Sequence, residues 1–228
     1  MTARFGIWYL ILQILYTAWT RLQFRLRVEG REHVPPEGGV LAVCNHNSAI
    51  DPWIAGVAFG RPARYMAKEE LMRVPVIGWL VAAMGAFPVR RGEADRRSLR
   101  IALDALARGQ IVLMFPEGTR SPDGRLRTGE PGAALLALRS GAPVLPTAII
   151  GSHRVMPRGA WFPRSHPVTV RFGPVIPVPR REGKIHRAEL DEWTRRFMAA
   201  IAALLPPEQQ PVETDGPPVR APRAEGSG

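Results

Sequence analysis

Short apolar runs recur along the chain and predict buried strands separated by helices. The predicted strands lie at residues 24–28, 40–43, 65–68, 87–89, 111–115, 144–150 and 168–172. Apolar positions at helical spacing, bounded by start and stop signals, predict helices at 52–60, 94–108, 132–139 and 187–205. This alternation predicts an α/β fold in which helices flank a layered mixed sheet.

The N-terminal unit, residues 1–23, carries a nearly continuous apolar stretch at 5–19. That length falls short of the roughly twenty residues with which a helix spans a bilayer. Aromatic residues within the stretch and arginines after it are typical of the membrane–water interface. We therefore expect a hydrophobic helical segment that anchors the protein to a membrane. A buried core helix and a cleaved signal peptide are the alternatives.

The remainder divides into one α/β domain at residues 24–205 and a tail at 206–228. The tail is rich in proline, glycine and charge, which predicts disorder. A formal net charge of +11 indicates an anionic partner, such as nucleic acid, a membrane surface or an acidic ligand. No glycine-rich, zinc-finger or aromatic-platform motif supports nucleic-acid binding, so none is expected.

Metal and disulfide chemistry have little support in the sequence. Cys44 is the single cysteine, so no internal disulfide can form and a reducing compartment is expected. The five histidines and the cysteine lack the spacing of zinc ligands, so no metal site is predicted.

His46 and Asp51 lie in the polar loop that follows the second predicted strand. The pair suits general-base catalysis, because the imidazole takes a proton through one nitrogen while the carboxylate holds the other N–H. A structural interpretation also stands, with Asp51 as the N-cap of a helix that begins at Pro52. Ser48 and Cys44 leave open a hydrolase with a covalent intermediate, although no G-x-S-x-G elbow is present. A non-catalytic lipid-binding protein is a third possible function, besides general-base catalysis and a covalent hydrolase.

Polar clusters after later strands add an acid, Glu117, and three cations, Lys68, Arg90 and Arg120. Ligands of open α/β sheets bind beyond the strand ends, so we expect these side chains to share one rim with His46. Arginine offers a bidentate fork to phosphate, and lysine a point charge. The set therefore suits deprotonation of a hydroxyl on a molecule that also carries a phosphate.

Four ordered blocks resemble the glycerolipid acyltransferase family, in particular the bacterial 1-acyl-sn-glycerol-3-phosphate (lysophosphatidic acid) acyltransferases. They lie at residues 45–51 (NHNSAID), 85–90 (GAFPVR), 115–121 (FPEGTRS) and 142–146 (APVLP). The H-x4-D pair alone is a weak signal, but four blocks in order with an intact FPEGTRS are specific.

The resemblance implies that His46 deprotonates the free hydroxyl of a lysophospholipid while Asp51 orients the imidazole. The alkoxide would attack the thioester of acyl-CoA or acyl carrier protein directly, with no acyl-enzyme and no bound cofactor. The expected product is phosphatidic acid. The residues that the resemblance associates with binding the glycerol phosphate are Lys68, Phe87, Arg90, Glu117, Gly118, Thr119 and Arg120.

The resemblance also implies a position on the cytoplasmic face of the cell (inner) membrane, held by the N-terminal segment. The basic charge favours anionic lipid by about 1 kcal/mol per residue near the surface, and it suits CoA or an acidic carrier protein. The loop at 151–167 carries Trp161 and Phe162 among arginines. Packing against the domain is the preferred interpretation of that loop, and membrane contact is the alternative.

Overall fold

The computed structural model describes residues 7–75, 78, 82, 85–89, 96–157, 159–160 and 162–211. Its helices are α1 Ile7–Gln23, α2 Asp51–Phe59, α3 Glu69–Met72, α4 Arg96–Ala107, α5 Gly132–Ser140, α6 Ser152–Val155 and α7 Arg187–Leu204. Its strands are β1 Arg27–Glu29, β2 Val40–Cys44, β3 Ala63–Lys68, β4 Ala86–Val89, β5 Ile111–Met114, β6 Val144–Ile150 and β7 Thr169–Phe172. Two 3-10 turns lie at Arg31–His33 and Pro207–Gln209.

The seven strands within the described residues form one sheet in the order β1-β7-β6-β2-β5-β3-β4. Neighbouring strands are parallel except β6 and β7, which are antiparallel. The predicted α/β fold with a mixed sheet is therefore confirmed. Strands β2, β3, β4, β5 and β6 end at the same edge of the sheet, which we call the carboxyl edge. Strands β7 and β1 run the other way and begin there.

Helices on both faces of the sheet divide the core into two clusters. Leu41 and Val43 of β2 pack with buried residues of α4, α5 and α7. The alternate residues of β2, Val40, Ala42 and Cys44, pack with buried residues of α2. Every residue of β2 is buried, which is why this strand is a continuous apolar run in the sequence.

Helix α1 packs against α2 through one of its sides. The rings of Tyr16 and Trp53 lie 4.2 Å apart between centroids. Trp53 Nε1 also donates a hydrogen bond to Thr20 Oγ1 at 2.9 Å. Among the described residues, no helix combines the length and apolarity that crossing a membrane requires. Residues 1–6 of the predicted anchor lie outside the described residues.

The folded domain extends beyond residue 205, where the sequence predicts a disordered tail. Pro207–Gln209 forms a 3-10 turn, and Gln209 is buried. The Gln209 Nε2 group donates to the carbonyl of Gly124 at 3.0 Å. One buried amide thus holds a proline-rich segment that composition alone would assign to the tail. Residues 212–228 of the predicted tail lie outside the described residues.

Candidate active site

Asn45 fixes the start of the loop that follows β2. Its Oδ1 accepts the backbone N–H of Ile149 at 2.7 Å, and its Nδ2 donates to the carbonyl of Ile149 at 2.9 Å. The side chain therefore continues the hydrogen-bond pattern between β2 and β6 where the β2 backbone turns away. Because this amide is buried and bonded on both sides, it sets the direction in which His46 leaves the sheet.

Asp51 holds both the loop and the ring of His46 with a single carboxylate oxygen. Asp51 Oδ2 accepts from His46 Nδ1 at 3.0 Å and from the backbone N–H groups of Asn47 and Ser48, both at 2.7 Å. The Asp51 side chain is fully buried, and that of His46 is 12% exposed. A carboxylate is acceptor-only, so Nδ1 carries the hydrogen and Nε2 is left to take a proton. The structure thus brings together the two residues of the predicted pair.

The expected N-cap role of Asp51 is wrong. Helix α2 begins at Asp51 itself, Ile50 occupies the cap position, and no side chain caps this helix. The Asp51 carboxylate turns back to the N–H groups of the preceding loop, which compete with the helix for the same acceptor. Pro52 lies in the first turn of the helix, as predicted.

The loop that follows β5 contacts His46 on three sides. The backbone N–H of His46 donates to Glu117 Oε1 at 2.6 Å. The backbone carbonyl of His46 accepts the N–H of Ser121 at 2.7 Å. The His46 ring stacks on Phe115, with 4.1 Å between centroids and 22° between planes. The parallel pairing of β2 with β5 brings the two loops out side by side, so the second loop fixes both the backbone and the ring plane of His46.

Glu117 is buried and uses both of its oxygens on backbone N–H groups. Its Oε2 accepts the N–H of Arg127 at 3.1 Å, in addition to the bond from His46. Burial raises the pKa of Glu117 to about 7, although those two N–H groups favour the ionised form and oppose the rise. A carboxylate engaged in this way holds loops together, and its charge opposes direct contact with a phosphate.

A tight turn at residues 115–118 shapes the rest of this loop. The N–H of Gly118 donates to the carbonyl of Phe115 at 3.0 Å, and Gly118 has a φ of 67°. This left-handed conformation favours glycine. A Cβ at Gly118 would have ordinary contact distance to Glu130, 3.6 Å, so backbone strain and not lack of space selects the residue. The half-buried Thr119 and Arg120 follow the turn and precede the bond between Ser121 and His46.

Two of the other predicted binding residues lie in β3 and β4. Lys68 is the last residue of β3, which places its backbone at the carboxyl edge. Phe87 lies within β4, is 2% exposed and packs in the core with buried residues of α4. Its position assigns Phe87 to packing, and we propose no binding role for it. Arg90 lies outside the described residues.

Neither Cys44 nor Ser48 is placed as an activated nucleophile. Cys44 is fully buried, and burial raises the pKa of its thiol, which keeps the thiol protonated. The buried hydroxyl of Ser48 donates to the carbonyl of Met156 at 3.1 Å. In the part of the chain that the structure describes, no group of three or more His, Cys, Asp or Glu residues is arranged to hold a metal ion.

Among the contacts of the site that were not predicted from the sequence, those of Asn45 and Phe115 differ in whether a signal was present. The Asn45 bridge had a signal, because a polar residue directly after a buried strand must find a partner for its amide. The stack of Phe115 on His46 had none, because it depends on how β2 and β5 pair.

The acyltransferase family model matches residues 25–150. The chloroplastic 1-acyl-sn-glycerol-3-phosphate acyltransferase LPAT1 of Arabidopsis thaliana is 33% identical over 142 residues, which are 60% of this chain and 39% of that protein. The 1-acyl-sn-glycerol-3-phosphate acyltransferase of Pseudomonas aeruginosa is 29% identical over 198 residues, 86% of this chain and 76% of that protein. The chain spans 39%, 40% and 54% of the lengths of three curated relatives that it matches.

A solved structure is also similar to this chain. It is the crystal structure of the 1-acyl-sn-glycerophosphate (LPA) acyltransferase PlsC from Thermotoga maritima, with a TM-score of 0.68 and 26% sequence identity. The match covers 90% of this chain and 82% of that chain. The similarity therefore extends over most of both folds.

Proposed function

The chain belongs to the acyltransferase family, and from that premise we propose that it transfers a fatty acyl group to the free hydroxyl of 1-acyl-sn-glycerol 3-phosphate. The donor is acyl-CoA or acyl carrier protein, and the product is phosphatidic acid. The observation that carries the proposal is the bond between His46 Nδ1 and Asp51 Oδ2, 3.0 Å long, at the carboxyl edge. The names of the similar proteins support the choice of acceptor.

In the proposed mechanism His46 acts as the general base through Nε2. It takes the proton of the acceptor hydroxyl as that oxygen attacks the carbonyl carbon of the donor thioester. The carbon–sulfur bond then breaks, and the leaving thiolate receives the proton back from the imidazolium. Asp51 holds the Nδ1–H and stabilises the imidazolium between the two proton transfers. The buried Cys44 and the hydrogen-bonded Ser48 support direct transfer without an acyl-enzyme.

Recognition of the acceptor phosphate is proposed for Arg120, together with Lys68 and Arg90. A guanidinium makes strong, charge-assisted hydrogen bonds to phosphate oxygens. Arg120 follows the turn at residues 115–118. We assign Gly118 in that turn, and Thr119 directly after it, to shaping this part of the site. Glu117 is assigned to positioning His46, because backbone N–H groups already occupy both of its oxygens.

We propose that the reaction takes place at the cytoplasmic face of the cell membrane and that α1 anchors the protein there. The acceptor and the product are lipids, so the site must meet them at a lipid surface. The net charge of +11 favours anionic lipid as well as the anionic donors.

An acyl-transfer assay read by mass spectrometry tests the proposal. The assay combines each acceptor with each donor. The acceptors are lysophosphatidate, glycerol 3-phosphate and uncharged lysolipids, and the donors are acyl-CoA and acylated acyl carrier protein. We expect phosphatidic acid from lysophosphatidate, and we expect His46→Ala to lower kcat by about 10²–10⁴-fold, the usual contribution of a general base.

The matched control is His186→Ala, because His186 is an exposed histidine before α7 and should leave the rate unchanged. A His46→Ala enzyme that keeps the wild-type rate would remove His46 as the base. Efficient transfer to uncharged lysolipids alone would instead overturn the proposed acceptor.

A further inference from the structure

Phe162, in the loop between α6 and β7, is 82% exposed. The interpretation that this loop packs its aromatic pair against the domain is therefore wrong for Phe162; Trp161 lies outside the described residues. Burial of a phenylalanine side chain stabilises a fold, and the fold of this chain leaves that contribution of Phe162 unused. A single exposed apolar residue is common, so its surroundings decide what it means.

The loop is hydrogen-bonded to the end of α1 at the carboxyl edge. Ser165 Oγ donates to the carbonyl of Gln23, the last residue of α1, at 2.8 Å. The backbone N–H of Val168 donates to the carbonyl of Phe24 at 2.9 Å. Phe162 therefore lies three residues from a direct bond to α1, and the two elements contribute to one surface.

Helix α1 exposes an apolar face beside this loop. Leu15 is 60% exposed, Trp19 46% and Leu22 82%. Their spacing of four and three residues places them on the same side of the helix. The side that carries Tyr16 and Thr20 contacts Trp53 of α2, and the ring of Trp19 lies edge-on to Trp53 as well. Leu15, Leu22 and the exposed part of Trp19 are therefore left outside the core. We call Leu15, Trp19, Leu22 and Phe162 the apolar surface.

The charged residues within the two segments that carry the apolar surface, residues 7–28 and 151–168, all have one sign. Exposed arginines occur in both of its segments: Arg21, Arg25, Arg154 and Arg164. Neither 7–28 nor 151–168 contains an aspartate or a glutamate. Aromatic and aliphatic side chains among cationic ones suit the headgroup region of an anionic bilayer. A protein partner of mixed charge would not bind more tightly because acidic residues are absent from these segments, so a bilayer is the occupant that the composition favours.

We propose that α1 and the 156–167 loop form a two-point docking surface for an anionic phospholipid bilayer, in which Phe162 inserts beside α1. This inference rests on the proposed function, because the lipid acceptor would lie in that bilayer. Each element is also bonded to the catalytic region. The carbonyl of Met156 accepts the Ser48 hydroxyl, and Trp53, two residues after Asp51, donates to Thr20 in α1. Two contacts fix an orientation that a single anchor leaves free, so docking presents His46 to the lipid surface.

Co-flotation of the full chain with vesicles tests the proposal. The vesicles contain phosphatidylcholine alone or phosphatidylcholine with phosphatidylglycerol. We expect Phe162→Ser to weaken partitioning about tenfold on both, because the ring no longer inserts. We expect Arg164→Glu to weaken it severalfold on the anionic vesicles only. The matched control is Arg180→Glu, because Arg180 is exposed beside Gly141, at the opposite edge of the sheet. This substitution should leave partitioning to both kinds of vesicle unchanged.

Acyl transfer with a short-chain lysophosphatidate dissolved as monomers separates docking from catalysis. With the dissolved acceptor, Phe162→Ser should have the kcat of the wild type. With the acceptor in vesicles, its rate of acyl transfer should be lower than that of the wild type. Unchanged flotation, or an equal loss of rate with the dissolved acceptor, would overturn the docking surface. A change from dimer to monomer on sedimentation would assign the surface to a second copy and also overturn it. If wild type transfers no acyl group yet floats in a Phe162-dependent way, the proposed function fails and the docking surface stands.

Discussion

The loops after β2 and β5 each place a buried carboxylate against His46, but the two carboxylates contact different parts of that residue. Asp51 uses only Oδ2, which accepts the Nδ1–H of the His46 ring and the backbone N–H groups of Asn47 and Ser48. Its Oδ1 has no hydrogen-bond partner among the residues that the structure describes. Glu117 uses both oxygens, each on a backbone N–H. The first carboxylate therefore acts on the reactive ring, and the second holds segments of chain together.

Replacement by an amide separates these two roles. An amide keeps one acceptor oxygen and turns the other into a donor. At Asp51 the amide nitrogen can take the place of Oδ1, so all three hydrogen bonds to the loop and ring are kept while the charge is lost. At Glu117 the amide nitrogen must face an N–H that was bonded. The change to an amide therefore removes only the charge at Asp51, whereas at Glu117 it also removes a hydrogen bond that holds the loop.

Asp51→Asn should give the largest effect, a fall in kcat on the order of 10³-fold with KM and thermal stability nearly unchanged. The imidazolium that forms during transfer loses the negative charge that stabilises it. Steady-state kinetics and thermal unfolding measure the two quantities.

Asp51→Ala is the comparison, since it removes the charge and the three hydrogen bonds together and should lower the melting temperature as well. A melting temperature that falls equally in both variants would show that the amide does not keep the loop. A kcat that survives in Asp51→Asn would show that the charge is dispensable.

Glu117 should make the free energy of unfolding depend on pH. Its pKa rises from 4.5 to about 7 in the folded protein, so folding favours the protonated form. The resulting stability is fully present below about pH 4.5 and is lost as the pH rises through about 7, on the order of 3 kcal/mol in total. Denaturant unfolding across this range measures the slope.

Glu117→Gln should abolish that slope. The variant should also be less stable by about 1–3 kcal/mol at the acidic end, because the amide nitrogen cannot accept the N–H that it faces. Its kcat should fall about tenfold through displacement of His46, with the acceptor KM unchanged. Glu130→Gln, an exposed change near the same turn, should keep the slope and the rate. A raised acceptor KM in Glu117→Gln would restore the binding role that the family resemblance implies.

The features of the site that could be predicted from the sequence are local ones. His46 and Asp51 are only five residues apart in the sequence, on the two sides of one short turn, so their pairing could be predicted from the local pattern. The strands β2, β5 and β6 could be predicted because burial on both faces requires a continuous apolar run. Strand β1 is shorter than the predicted run at 24–28, because Phe24 and Leu26 still take part in the turn that ends α1.

The features that could not be predicted depend on pairing between distant segments. Glu117 and His46 are 71 residues apart in sequence, and only the register of β2 with β5 brings them together. The resemblance to the family associates Glu117 and Phe87 with binding the glycerol phosphate, but it does not say what each side chain contacts. In the structure one bonds to backbone N–H groups and the other fills the core.

Arg120→Ala should give the smallest of these effects and complete the comparison of the two loops. We expect an acceptor KM about tenfold higher, because a charge-assisted hydrogen bond to phosphate contributes about 1.5–3 kcal/mol and Arg120 remains partly in water. The kcat and the donor KM should stay within about twofold, since a ground-state contact affects binding alone. Initial rates over a range of lysophosphatidate concentrations at saturating donor measure the change.

Arg125→Ala is the matched control, since Arg125 is also half-buried and follows the same loop, yet no phosphate role is proposed for it. It should leave both constants unchanged. If Arg120→Ala lowered kcat at constant KM, Arg120 would act on the developing charge of the transition state, as Asp51 does. The loop after β5 would then share in the chemistry, and the division between a reacting loop and a binding loop would be wrong.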